Sequence, residues 1–285
     1  MSQWTFQAPP ELSDEQYARW QTLLEERTGI CFLQHKSILQ KGLSQRMREV
    51  GIDDYEDYYR RVSAVPEGVV EWTLLVDRIS VKETSFFREP KSFSAVRSFI
   101  AERIETSAQR QDYTIDMWSV GCSTGEEALS LAMIANELIE KSSAKIFMGV
   151  MATDISKTAL LEARLGIYSK RKVESIPTRL RQKYFTQKSV NEFIVLPELL
   201  QKVCFTQGNI IEFDQAPKMA MDVIFFQNVL VYFRRWRHKE VLDALVEHLK
   251  PGGILVVGPG EVSSWQHPRM RRSADDTIQA YVRHA

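Results

Sequence analysis

The sequence is short of several things that would each have pointed to a function class. It carries three cysteines, Cys31, Cys122 and Cys204, odd in number and far apart, which fits reduced thiols in a cytosol better than a disulfide framework or a zinc site. Neither charge is in excess: Lys plus Arg and Asp plus Glu both count 37, and the formal net charge is zero. Nothing in that balance calls for nucleic acid, and no aromatic and basic patch is read in the chain, which argues against a nucleic-acid-modifying enzyme. No apolar run approaches the roughly 18 residues of a spanning helix, and the first residues are polar with an early Pro9-Pro10. A soluble cytoplasmic protein with no membrane insertion is expected. Internal repeats and low-complexity tracts are missing as well. What remains is 285 residues, 44% hydrophobic and 26% charged, a globular composition with room for about two domains.

Residues 12 to about 90 read as helical. Ser13 and Gln16 form a capping-box signature before an apolar stripe of Tyr17, Trp20, Leu23 and Leu24 that stops near Thr28-Gly29. A second segment from His35 through Val50 sets Ile38, Leu39, Leu43 and Met47 on one side and Lys36, Lys41, Arg46 and Arg48 on the other. Such a run is either a solvated face or a basic ridge for an acidic helical partner. Short helices around Tyr55 to Val62 and Gly68 to Arg78 complete an expected N-terminal helical domain over residues 1–78. From Ile79 to residue 285 strands alternate with helices: strand 114–120, helix 126–141, strand 145–152, helix 156–166, strand 221–227, helix 235–250 and strand 253–258. That order implies an α/β domain with a mostly parallel sheet, whose ligands sit outside the carboxyl ends of the strands near the switch in strand order. Between about 184 and 206 the rhythm breaks, and Phe193, Val195 and Leu196 suggest a small antiparallel insertion turning near Ser189 to Glu192.

The chain is organised around Met117 to Ser130, an apolar strand that turns through Gly121-Cys122-Ser123-Thr124-Gly125 into a helix. Glycines let the backbone approach a ligand, and a helix start presents unpaired N–H groups. The loop lacks a full Gly-x-Gly-x-x-Gly, and Glu126-Glu127 would repel a pyrophosphate but suit a cationic ligand. Asp154, at the tip of the next strand, can accept two ribose hydroxyls, or cap the following helix in competition with Ser156. Asn228 ends another apolar strand at the same mouth, with Tyr232 beyond it; a turn-forming asparagine is the plain alternative. Asn209-Ile210, after the strand 203–206, offers an amide and an apolar neighbour for an adenine face. Arg88 can hold a carboxylate bidentately or pair with Glu89 on the surface. Thr84 lies in the same segment.

Thr84-x-Phe86-Phe87-Arg88, Gly121-Cys122-Ser123-Thr124-Gly125-Glu126-Glu127, Ala152-Thr153-Asp154 with Leu165-Gly166-Ile167-Tyr168, Asp222-Val223-Ile224-Phe225 with Asn228 to Phe233, and Leu249-Lys250-Pro251-Gly252-Gly253 together resemble the CheR family of chemoreceptor glutamate methyltransferases, closest to the version attached to the type IV pilus, twitching-motility system. The resemblance implies a Rossmann-like class I methyltransferase domain with a small β-subdomain, and methyl transfer from S-adenosylmethionine to glutamates on the cytoplasmic helical bundle of a chemoreceptor by a monomeric enzyme. It implies cofactor contacts from Lys82, Thr84, Arg88, Glu127, Asp154, Asn209, Ile210, Asn228 and Val229, catalytic positions at Arg88 and Tyr232, and substrate contacts from Lys41, Arg46 and Arg48. The chain departs from the family pattern at Lys82, at Gln227 and at Gly258-Pro259-Gly260-Glu261, and its Gln187 to Glu192 turn lacks the glycines that grip a receptor's C-terminal pentapeptide. An alternative from another class is a cofactor-binding scaffold without turnover.

Overall fold

The structure, a computed structural model, describes residues 11–32, 36–107 and 113–284. His35, expected to open the second helix, lies outside them. The chain divides into two compact units, Met1–Val81 and Lys82–Ala285.

The first unit holds helices α1 (Asp14–Thr28), α2 (Lys36–Val50), α3 (Tyr55–Ser63) and α4 (Gly68–Ile79). Ser13 and Gln16 close the capping box with two 3.1 Å bonds, and Gly29 ends α1 in the left-handed region at φ 75°, where a Cβ would be strained. Trp20, Leu24, Leu39, Leu43, Met47, Tyr58 and Leu75 form the core. Because α4 continues through Ile79, the boundary after Val81 falls beyond the expected one at residue 78.

The basic ridge expected on α2 is broken at Arg46. Its side chain is buried at 8% exposure, with Nε and Nη2 donating to Glu71 of α4 at 3.0 and 2.8 Å. Tyr58 donates to the same carboxylate at 2.7 Å. Burial alone would raise Glu71, but Arg46 and Tyr58 outweigh it and the carboxyl sits below its ordinary value. Arg46 is therefore a core strut and not a substrate contact, since a buried, bidentately paired guanidinium has no face left for a partner. Lys41 and Arg48 are exposed.

The second unit contains α5 (Pro90–Ser107), β1 (Tyr113–Val120), α6 (Glu126–Ile139), β2 (Ile146–Asp154), α7 (Lys157–Leu165), β3 (Ile167–Ser169), α8 (Lys170–Val173), α9 (Thr178–Tyr184), β4 (Phe185–Ser189), β5 (Glu192–Val195), α10 (Pro197–Leu200), β6 (Val203–Gln207), β7 (Met221–Phe226), α11 (Arg235–Glu247), β8 (Leu249–Val257), β9 (Met270–Arg272) and β10 (Gln279–Arg283). The main sheet runs β6-β2-β1-β7-β8-β10-β9. Its first five strands are parallel, and β10 and β9 add antiparallel at the edge. This is a Rossmann-like, mostly parallel α/β sheet with an antiparallel edge. β7 is buried at every position, as a strand covered on both faces must be. Met117 joins the core under α5 and α6, whereas its neighbour Trp118 joins the core on the α11 side, the two-residue period of a strand. Strand order reverses at β1, between β2 and β7, so their carboxyl ends open the ligand crevice.

The antiparallel insertion is wider than its sequence signal. β3 pairs with β5, and β5 with β4, so the small sheet begins at Ile167, while Val203–Gln207 belongs to the main sheet beside β2. Three residues of β3 are too few to show alternation. Among the described residues no helix is long and apolar enough to cross a membrane.

Candidate active site

The Gly121–Gly125 loop is held from beneath by β2. Gly121 and Cys122 both donate to the Thr153 carbonyl, at 2.8 and 2.9 Å. Asp154 then takes the Ser123 amide on one oxygen and the Ser156 amide on the other, each at 2.8 Å. Ser156, not Asp154, caps α7 by accepting from Ala159 at 3.1 Å. Gly121 (φ 76°) and Ser123 (φ 50°) are both left-handed. A Cβ on Gly121 would stand 2.5 Å from Val229 Cγ2, so glycine is what lets the β1 and β7 loops touch. The Ser123 hydroxyl is buried without a hydrogen-bond partner among the described residues, a donor left for a polar ligand.

Of the two acids at the start of α6, one is already spoken for. Glu126 is fully buried, accepting from Thr124 Oγ1 at 2.7 Å and paired with Lys172 of α8. Tyr168 of β3 donates to the Thr124 carbonyl at 2.7 Å. The expectation that the Glu126-Glu127 pair serves a cation thus holds out only Glu127. Its carboxylate accepts from Ser119 at 2.7 Å. Burial pushes it up to about 8, against the pull of Ser119, with the negative charge of Glu261 adding to the rise and Arg88 opposing it.

Arg88 reaches this rim on a strained hook. Phe87 sits at φ 53° with its amide on Ser130 Oγ at 3.2 Å, while Phe86 is buried edge-on against Tyr168 and Phe185. Arg88 is exposed, donates to the Glu83 carbonyl at 3.1 Å and makes no salt bridge among the described residues. Its charge opposes the rise that burial causes in Tyr232. Thr84 is half-buried in the same segment. Asn228 is left-handed at φ 58°, and Glu261 holds it there: one Glu261 oxygen accepts from the Asn228 and Gly258 amides, both at 3.0 Å, the other from Val231 at 3.4 Å. Burial raises Glu261, against these amides. Ile210, Val229 and Tyr232 pack as partly buried residues on the α11-side core, and Gly208 donates to the Asp154 carbonyl at 3.0 Å, bringing the Asn209 turn to the same rim. Asn209 donates to Glu212 at 3.0 Å.

Arg88, Glu127, Asp154, Asn209, Ile210, Asn228, Val229 and Tyr232 are thus set on the carboxyl ends of β1, β2, β6 and β7 or the segment leading into α5. Lys82 turns elsewhere, donating to Thr158 at 2.5 Å with Glu162 at 3.6 Å, both on α7. Gln227 is buried, donating to Ser92 at 2.7 Å and to the Val257 carbonyl at 3.3 Å. In the sequence Glu261 stands only within a run that departs from the family pattern, and its grip on Asn228 has a single sequence signal, an acid just past a glycine-rich strand end. Arg234-Arg235-Trp236-Arg237-His238-Lys239 is a basic and aromatic cluster, with Arg237 4.7 Å over the Trp236 ring, which corrects the expectation that the chain has none.

Residues 82–279 match the family model "CheR methyltransferase, SAM binding domain", and residues 15–80 match "CheR methyltransferase, all-alpha domain". The chain belongs to the CheR methyltransferase family. It is 30% identical to the chemotaxis protein methyltransferase of Salmonella typhimurium, covering 88% of this chain and 84% of the relative. It is 28% identical to that of Borreliella burgdorferi, over 88% and 89%, and 28% identical to the probable biofilm formation methyltransferase WspC of Pseudomonas aeruginosa, over 86% and 56%. As a CheR methyltransferase the protein uses S-adenosylmethionine. The site's residues fit that cofactor: a half-buried acid for its positive charge, a carboxylate at a strand tip, an orphaned buried hydroxyl and an apolar wall. No group of three metal-capable side chains occurs among the described residues.

Proposed function

We propose that this enzyme methylates glutamate side chains on the cytoplasmic helical bundle of a methyl-accepting chemoreceptor, acting as a monomer in the cytoplasm, in the chemosensory branch that serves type IV pili. The observation that carries the proposal is the meeting of an exposed Arg88, a half-buried Glu127 and Tyr232 at the β1/β7 crevice, with the charge of Arg88 reaching both of the others. Bound S-adenosylmethionine supplies a methyl on a cationic sulfur, and S-adenosylhomocysteine is the product. Glu127 faces the cofactor's positive charge, Asp154 its ribose, and Asn209 with Ile210 its adenine. Asn228 and Val229 line the floor, and Thr84 with Lys82 frames the segment that carries Arg88.

A substrate glutamate has an unperturbed pKa of about 4.3 and is ionised at pH 7. No general base is required, and the protein's task is to orient one oxygen and strip its water. Arg88, with no salt bridge to break among the described residues, is suited to orient that carboxylate, and Tyr232 gives the reacting centre a flat apolar flank with a hydroxyl at its edge. Lys41 and Arg48 on α2 are the cations suited to the acidic receptor helices. The turn at Val190-Asn191 lacks glycine, and activity does not depend on a pentapeptide tether; tight binding of a receptor-tail peptide in calorimetry would refute this. Lys82 and Gln227 motivated the scaffold alternative, and their engagement with α7 and Ser92 weakens that motive. Incubation with labelled S-adenosylmethionine and the receptor's cytoplasmic fragment, followed by mass spectrometry, tests the function: label on glutamates is expected, and cofactor binding without label on the receptor refutes it.

A further inference from the structure

The start of α11 is rich in cations and carries no acid in its first turn. The helix dipole favours acids there, as in α1, α3 and α6 with two each, though α2 and α5 lack them as well. The N-cap of α11, Arg234, makes no side-chain capping bond. Arg235, Arg237 and Lys239 follow, so cations gather where the dipole disfavours cations. Two large apolar side chains stand open among them, Trp236 at 56% and Val231 at 63% exposure. The Lys239 side chain keeps 70% exposure despite its pairing with Asp243. His238 is fastened to the Phe233 carbonyl at 3.0 Å, which ties this turn to the segment carrying Tyr232. Arg235 is three positions beyond Tyr232, within about 11 Å along the chain.

We infer that Val231, Arg235, Trp236, Arg237 and Lys239 form a docking surface on the catalytic unit for the acidic helical segment that flanks the target glutamate. This deepens the function proposed above and rests on it. The occupant follows from charge and place: the patch is cationic, it borders the mouth that receives a glutamate, and Trp236 and Val231 offer the apolar contact that an amphipathic helix presents beside its acids.

The test is steady-state methylation of a chemoreceptor cytoplasmic fragment by wild type and by an Arg235→Gln/Trp236→Ala variant, with cofactor affinity measured separately by calorimetry. The variant is expected to raise KM for the fragment about tenfold, to leave kcat and S-adenosylmethionine affinity within about twofold, and to flatten the salt dependence of kcat/KM. Arg235→Lys should keep most of the wild-type KM. If the double variant fails to fold, Arg235→Gln alone, at an exposed side chain, carries the reading. An unchanged KM overturns the docking surface while leaving the methyltransferase reading intact. Wild type that binds cofactor but never labels the fragment overturns the receptor reading itself. Patch-dependent binding to phosphatidylglycerol vesicles or single-stranded RNA, with KM for the fragment unmoved, overturns the assignment in favour of those partners.

Discussion

Set against the cofactor's positive charge as proposed, Glu127 would make the cofactor site a proton-linked one. Its carboxyl sits at about 8, so at pH 7 roughly nine in ten unliganded molecules carry it protonated. A cationic ligand needs the ionised form, so its observed affinity is lowered by about tenfold at pH 7 and about a hundredfold at pH 6, and the penalty vanishes above pH 9. Calorimetric titration with S-adenosylmethionine in buffers of different ionisation enthalpy should show about one proton released per cofactor at pH 7 and almost none at pH 9. Stability without cofactor moves the opposite way. A carboxyl raised on folding from 4.5 favours the fold while neutral, and that advantage is lost as pH climbs from about 4.5 through about 8. The unliganded melting temperature should therefore fall over that range, and Glu127→Gln should flatten both profiles. A buffer-independent binding enthalpy at pH 7, or an unchanged pH profile in Glu127→Gln, would refute the reasoning.

Three other perturbations have defined outcomes. Arg46→Ala strands Glu71 in the core of the helical unit and should cost about 3–5 kcal/mol in urea denaturation; Arg46→Lys should recover little, because an ammonium cannot replace a two-pronged donor. Gly121→Ala forces a Cβ to within 2.5 Å of Val229 at a left-handed φ, for a loss of about 2 kcal/mol by thermal unfolding. Adding Val229→Ala should return only the share due to the clash. Glu261→Gln replaces a carboxylate whose two oxygens accept from three backbone amides with an amide that has one oxygen, so about 1–3 kcal/mol and several-fold cofactor affinity are expected to be lost, read by melting and by calorimetry.

The parallel sheet and its rim could be read in the chain because buried strands carry apolar runs, and whatever polar residue ends such a run lies at the crevice. Asp154, Asn209 and Asn228 were placed by that logic alone. Arg46 misled because its position on the helix is indistinguishable from that of a solvated neighbour; its partner Glu71 is 25 positions away on another helix. Lys82 posed the same difficulty over 76 positions to Thr158. Glu261 stayed hidden because its work is done on backbone amides, which leave no trace in residue identity. The cations at the start of α11 were visible as letters, but they acquire meaning only against a dipole whose direction the structure supplies.

The Tyr168 hydroxyl and the Lys172 ammonium reach from the small sheet and its adjoining helix into the carbonyl, hydroxyl and buried acid that shape the Gly121–Glu126 turn. The inserted sheet is therefore mechanically in series with the cofactor cradle. If a partner bound on the sheet changes cofactor affinity through these bonds, the cofactor changes that partner's affinity by the same factor. A lineage that remodels the appendage to meet a new partner must retune the cradle along with it, which ties the history of one recognition surface to the chemistry of the other.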